Sequence, residues 1–203
     1  MNHRLFVCAA LFSLLGLGAC EKACDTKNLP QYSLTAGQQA WVAAAQPGTV
    51  WRFSNAAGLE RAYRVQARET NMQGAGGGKS SFCPSWYQQE QVVTLARTDS
   101  ADMAPYDIYL KAANPTVQNS PYGFVGGMRW GSTSFSLEIL EEYDNQPGLP
   151  ARTVNGHTYA NVLELSGNLT LPNAGRRVVR LFLAKDDGVI EFEEQGGTVW
   201  SRI

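Results

Sequence analysis

The sequence predicts a mostly β protein: a single antiparallel curved sheet, half-barrel or barrel-like, of about ten strands, with one short N-terminal helix. Three observations carry this. Apolar and polar residues alternate with period two over most of the chain from Pro30 onward. Asn-Gly, Asp-Gly and Gly-Gly pairs, which supply the positive φ of tight hairpin turns, fall between the alternating runs. Only one alanine-rich stretch has a helical composition.

The elements are taken in chain order. Residues 1–19 open with a short basic start (Met-Asn-His-Arg), continue as an apolar run over 5–17 and end in small residues, the pattern of a secretory signal. The run is shorter than the roughly 20 apolar residues that span a bilayer, and no later stretch comes closer. Residues 20–29 read as a polar tether and 30–203 as one β domain. The alanines of 36–45 favour helix, and Gln46-Pro47-Gly48 stops it. Strand 50–54 turns through Asn55–Gly58 into 59–68. There Leu59, Tyr63, Val65 and Ala67 share one parity, and Glu60, Arg64, Gln66 and Arg68 the other. The glycine-rich stretch 71–80 reads as a flexible loop.

Strands are expected at 87–97, 106–112 and 123–131, with a proline-containing loop at 114–122. Phe135, Leu137 and Ile139 alternate with Ser134, Ser136 and Glu138. Asn155-Gly156 separates 152–154 from 158–165, and Asp186-Asp187-Gly188 separates 176–185 from 189–194. In this last pair Val179, Leu181 and Leu183 form one apolar face, and Ile190 and Phe192 another. Gly196-Gly197 precedes a final strand, 198–203.

Leu17-Gly18-Ala19-Cys20 resembles the lipobox of bacterial lipoproteins. The resemblance implies cleavage between Ala19 and Cys20, lipid on Cys20 and anchoring by acyl chains, at roughly 0.8 kcal/mol per buried methylene. The residues point to no resident cofactor or metal. Glu21, where an aspartate retains many such proteins in the inner membrane, implies the outer membrane of a Gram-negative cell envelope. Three further stretches (48–58, 154–165 and 181–192) resemble small, mostly uncharacterised Gram-negative lipoproteins with an antiparallel β body. The chain departs from them at Phe182-Leu183 and Asp186-Asp187. A looser likeness, of fold alone, is to the half-barrel lipoprotein-carrier class, whose concave side holds acyl chains. Fold does not carry function.

Removing 1–19 leaves 16 Lys+Arg against 18 Asp+Glu, a formal charge of −2, with no basic stripe for a nucleic acid. Cys8 leaves with the signal, and Cys24 and Cys83 remain beside Cys20. Without a C-x-x-C, and with His157 the one histidine outside the signal, a Cys24–Cys83 disulfide is favoured over a redox or metal pair. On the chain-entropy model it contributes roughly 4 kcal/mol.

Hydrolase motifs are missing: the sequence has no G-x-S-x-G and no H-E-x-x-H. His157 reads as a polar residue beside a turn. Glu138, Glu141, Glu142 and Asp144, and Glu191, Glu193 and Glu194, read as solvated faces before they read as a hydrolase pair. Asp99, Asp102 and Asp107 do not match a calcium-loop pattern. The five tryptophans are expected mainly in the core. Tyr122, Phe124 and Trp130, near glycines, are the candidates for a ligand surface. The function expected is non-enzymatic: a membrane-anchored envelope lipoprotein that binds an apolar ligand or a protein partner. The alternatives are a scaffold docking another envelope protein and, behind it, a carboxylate hydrolase.

Overall fold

The structure, a computed structural model, describes residues 24–76, 83–100, 104–112, 114, 124–137, 149–167 and 177–203. Within these the chain begins with β1 (Gln31–Tyr32), α1 (Ala36–Ala40), β2 (Val50–Asn55) and β3 (Glu60–Ala75). Next come β4 (Trp86–Arg97), β5 (Tyr106–Ala112), β6 (Phe124–Trp130) and β7 (Thr133–Ser136). After β8 (Arg152–Val154) and β9 (His157–Tyr159) the chain ends in β10 (Val162–Ser166), β11 (Val178–Ala184), β12 (Gly188–Glu194) and β13 (Val199–Arg202).

Ten strands form one antiparallel sheet in the order β10-β11-β12-β13-β2-β3-β4-β5-β6-β7, and β1 adds to β4 in parallel. The two outermost strands come back against each other. At Gly167, just past β10, a Cβ would lie 2.5 Å from Thr133 Cγ2 and 2.8 Å from the Val178 carbonyl oxygen, so the seam admits no side chain. The sheet is therefore a nearly closed barrel, as the alternation and turn chemistry predict.

Alternation works because inward residues of every strand meet in one core. Trp51 and Phe53, Tyr63 and Val65, Ile108 and Leu110, Met128 and Trp130, and Leu181 and Leu183 are all buried there. Rings from separate strands interlock: Tyr63 lies 4.7 Å from Trp130 and 4.9 Å from Tyr106, and Phe53 lies 5.2 Å from Phe192. All five tryptophans are buried.

The sequence parity slips where the ladder does. Register shifts fall between Val65 and Ala67 on β3 and at two points of the β11–β12 pair. A bulge places one extra residue on one strand and reverses the facing of the residues beyond it. Val178 rather than Val179 thus enters the core. Val189 and Phe192 point inward, whereas Ile190 joins a second, outer cluster with Val154, Val162, Phe182 and Ala184. The β8–β9 hairpin caps that outer cluster. Its turn, Asn155-Gly156, has φ of 48° and 79°, the left-handed pair that a two-residue hairpin demands. Arg152 stacks on the Phe182 ring at 3.5 Å and pairs with Glu191.

Two further expectations change. Strand β3 does not stop at residue 68 but runs 16 residues to Ala75, because Asn71–Ala75 continue the ladder opposite Trp86–Glu90. The expected loop 71–80 is strand over its first half, and 77–80 lie outside the described residues. Helix α1 ends at Ala40, five residues before the expected stop, and the chain continues in turns through Ala44. Its start is a capping box: Gln38 N–H donates to Thr35 Oγ1 at 3.2 Å and Thr35 N–H to Gln38 Oε1 at 2.8 Å.

This N-terminal segment plugs one end of the barrel. Leu34, Trp41, Val42 and Ala45 belong to the main core, and Asp186 N–H, in the β11–β12 turn, donates to the Ala40 carbonyl at 3.1 Å. The same end carries the tip of the β3–β4 hairpin, and there Cys24 is disulfide-bonded to Cys83. Among the described residues no helix is long and apolar enough to cross a membrane.

Candidate functional site

The opposite end of the barrel, where β2 turns into β3 and β12 into β13, is lined differently. Arg61 keeps the inward parity of Tyr63 and Val65, and Glu194 that of Phe192, so each strand sends a charge into the barrel. The two meet across 133 positions of sequence. Arg61 Nη1 donates to Glu194 Oε1 at 2.7 Å and Nη2 to Oε2 at 3.2 Å. Their side chains are only 6% and 10% exposed. Trp200 Nε1 donates to the same carboxylate at 3.1 Å, and the Arg61 guanidinium lies 3.8 Å from the Trp200 ring centre. The carboxylate thus accepts three hydrogen bonds and the guanidinium gains an aromatic face, which offsets the cost of burying both charges.

Next to this pair lies a cavity of about 170 Å³, lined by Arg61, Tyr63, Arg97, Tyr106, Trp130 and Glu194 among others. Arg97 pairs with Asp99, which also accepts from the Ala62 amide at 3.1 Å. Burial opposes ionisation of Asp99, but the Arg97 and Ala62 hydrogen bonds outweigh it and hold the carboxyl below its ordinary range. The hydrogen bond from Arg97 to Asp99 likewise holds the guanidinium charged. Burial raises the Tyr63 phenol above its ordinary value of 10.0, against the pull of Arg61 and Arg97. A second, more open hollow of about 330 Å³ continues outward from Arg61, Arg97, Glu194 and Trp200 past Leu59. On its rim Leu59 is 60% exposed, and exposed Thr198 lies beside it, while Val199, of opposite parity to Trp200, faces the outer wall.

Of the residues singled out in the sequence, Trp130 is 1% exposed. It faces inward because it keeps the parity of Met128, and it forms the inner wall of the cavity rather than an outer surface. Its Nε1 is buried with no hydrogen-bond partner among the described residues. Tyr122 and the side chain of Phe124 lie outside the described residues, as do Ala19 and Cys20. Glu138, Glu141, Glu142, Asp144 and Asp102 lie outside them too. Cys24 and Cys83 are brought together, with Cα atoms 5.4 Å apart. His157 stands on the outer β8–β9 hairpin, packed edge-on against Tyr159, away from the mouth.

The glutamates of β12 are not one solvated face. Glu193 pairs with Arg180 on the outer wall and Glu191 with Arg152 under the hairpin, while Glu194 turns inward. Sequence reasoning missed Arg61 and Glu194. The signal was present at Arg61: a cation on the apolar parity of an otherwise regular amphipathic strand needs a buried partner. Asp99 and Asp107 do not converge, since Asp107 pairs with Arg129 on the outer face. Among the described residues no three histidine, cysteine or acidic side chains cluster as a metal site would require.

The mouth thus holds fixed, mutually compensated charges beside aromatic rings, with exposed Leu59 at its edge. Comparison with protein-family models, with curated proteins and with solved structures returns no match to this chain.

Proposed function

We propose that the protein is a bacterial envelope lipoprotein, anchored by lipid on Cys20, whose barrel acts by binding a protein partner at its mouth. The observation that carries the binding reading is the composition of that mouth. Arginine, tryptophan and tyrosine are the residue types that concentrate binding energy in protein interfaces, and here they lie beneath exposed Leu59. The lipobox residues support the anchor. An acyl chain held inside the barrel is less favoured, because Trp51, Phe53, Tyr63, Trp130 and Phe192 occupy the interior. Catalysis is less favoured too: Glu194 is held by Arg61 and Trp200, and Asp99 by Arg97, which leaves neither carboxylate placed to exchange a proton.

A photo-crosslinking residue placed at Leu59 or Thr198, both on the mouth, in the intact envelope should give a discrete protein adduct. The same residue at Arg180, on the outer wall, should give none. Equal labelling from wall and mouth, or a lipid of defined mass retained by the purified protein in native mass spectrometry, would overturn the assignment of the mouth to a protein.

A further inference from the structure

We propose that the Cys24–Cys83 disulfide fixes how the barrel stands on the membrane, with the β3–β4 hairpin end toward the lipid surface and the Arg61–Glu194 mouth presented away from it. The inference rests on the lipoprotein reading above and extends it from an anchor to an orientation.

Chain length sets how far the barrel can move from the anchor. From Cys20 to Cys24 there are four residue steps, at most about 14 Å of extended chain. Cys24 is bonded to Cys83, and two residues later Ser85 N–H donates to the Ala75 carbonyl at 2.7 Å, closing the end of the β3–β4 ladder. The bridge thus ties an acylated Cys20 to the hairpin tip. Without it, the first backbone attachment is Pro30, whose carbonyl accepts from Tyr87 N–H at 2.8 Å, ahead of the parallel β1–β4 pairing. That tether would be ten steps, about 35 Å.

The hairpin is long enough for the difference to matter. β2 pairs with β3 only as far as Arg64, so the far half of β3 stands clear of β2 and carries Met72, 45% exposed. From Ala75 at the tip to Glu60 at the mouth is fifteen steps, about 50 Å along the strand. A tether a third of that length keeps the tip at the surface and the mouth far from it, provided the barrel does not lie flat. The outer wall opposes lying flat: it presents the ion pairs of Arg180 with Glu164 and Glu193, and of Arg129 with Asp107, where an interfacial segment would need an apolar strip.

The test uses the full lipidated chain in phosphatidylcholine vesicles doped with a lipid that carries a nitroxide on its headgroup. A fluorescent amino acid is incorporated at position 72 or, separately, at position 199, which leaves the cysteines native. Quenching at 72 should exceed that at 199 at least threefold in the parent protein. In the Cys24→Ser/Cys83→Ser variant, shown by circular dichroism to keep its sheet, the ratio should fall at least twofold. Equal quenching at the two positions, or a ratio unchanged in the folded double variant, overturns the orientation. If that variant does not fold, the parent ratio alone decides. The mass of the Cys20 peptide separates the two readings. Unacylated Cys20 overturns both, and acylated Cys20 with equal quenching overturns the orientation alone.

Discussion

At one end of the barrel Trp41, Val42 and Ala45 fill the interior with apolar side chains delivered by the turns that follow a short capped helix; at the other, Arg61 and Glu194 face each other between Trp200 and a small cavity. Both solutions bury what the strands leave at their ends, but they respond differently to change. An apolar plug loses contacts in proportion to what is removed. A buried ion pair loses far more when one partner goes than when both do, because the survivor stays buried and uncompensated. The plugged end is thus built for closure. The mouth keeps charge and aromatic surface together at a cost that apolar packing would avoid, which agrees with the binding role proposed for it.

Trp41→Ala gives the largest expected loss, about 3–5 kcal/mol, because a nearly inaccessible indole is removed and the barrel end it fills cannot collapse far. Urea unfolding followed by circular dichroism measures it, and a loss under about 1 kcal/mol would mean that the helix does not close the barrel. Glu194→Ala should cost about 3 kcal/mol and the Arg61→Met/Glu194→Met double variant far less, with stability near that of the parent. If the double variant is as unstable as the single one, the two ends are held by the same kind of packing and the contrast fails.

Two pH effects sharpen the comparison further. The folded-state pKa of Tyr63 is raised, so its contribution is complete below the unfolded value near 10 and is lost as pH rises through the higher folded value. Parent protein should weaken in alkali more steeply than Tyr63→Phe, as read from melting temperature against pH. For Asp99 the folded value is lowered, so its contribution is present above the unfolded value near 4 and is lost as pH falls through the folded one. Asp99→Asn should flatten the acid limb of the same curve slightly, the smallest of the four effects, since this carboxylate is only partly buried.

The fold was legible because its signals are local. Period-two alternation sets each strand's facing, and Asn155-Gly156 and Asp186-Gly188 set the hairpins from two or three residues each. What escaped is non-local. A single extra residue near Gln66 or Ile190 reverses a strand's facing with no mark in composition, so Ile190 reads as core when it belongs to the outer cluster. The extension of β3 through Gly74 and Ala75 depends on a partner strand that supplies the hydrogen bonds a glycine-rich segment cannot secure by propensity. Glu194 looks like an ordinary strand charge, and Arg61, though it stands on an apolar parity, does not name its partner until the ladder brings the two within 2.7 Å.

The order of the strands carries one more consequence. β13, four residues at the C-terminus, stands between β12 and β2 and is the ladder that joins β10–β12 to β2–β7. A chain made from its N-terminus forward can zip β2 through β7 by neighbouring hairpins, and later β10 through β12, as two separate meanders. Neither can lock to the other until β13 is free to pair. The slow step of folding should therefore be the long-range closure of β13 onto β2, high in contact order, and loss of β13 should leave two open-edged sheets rather than a slightly shortened barrel.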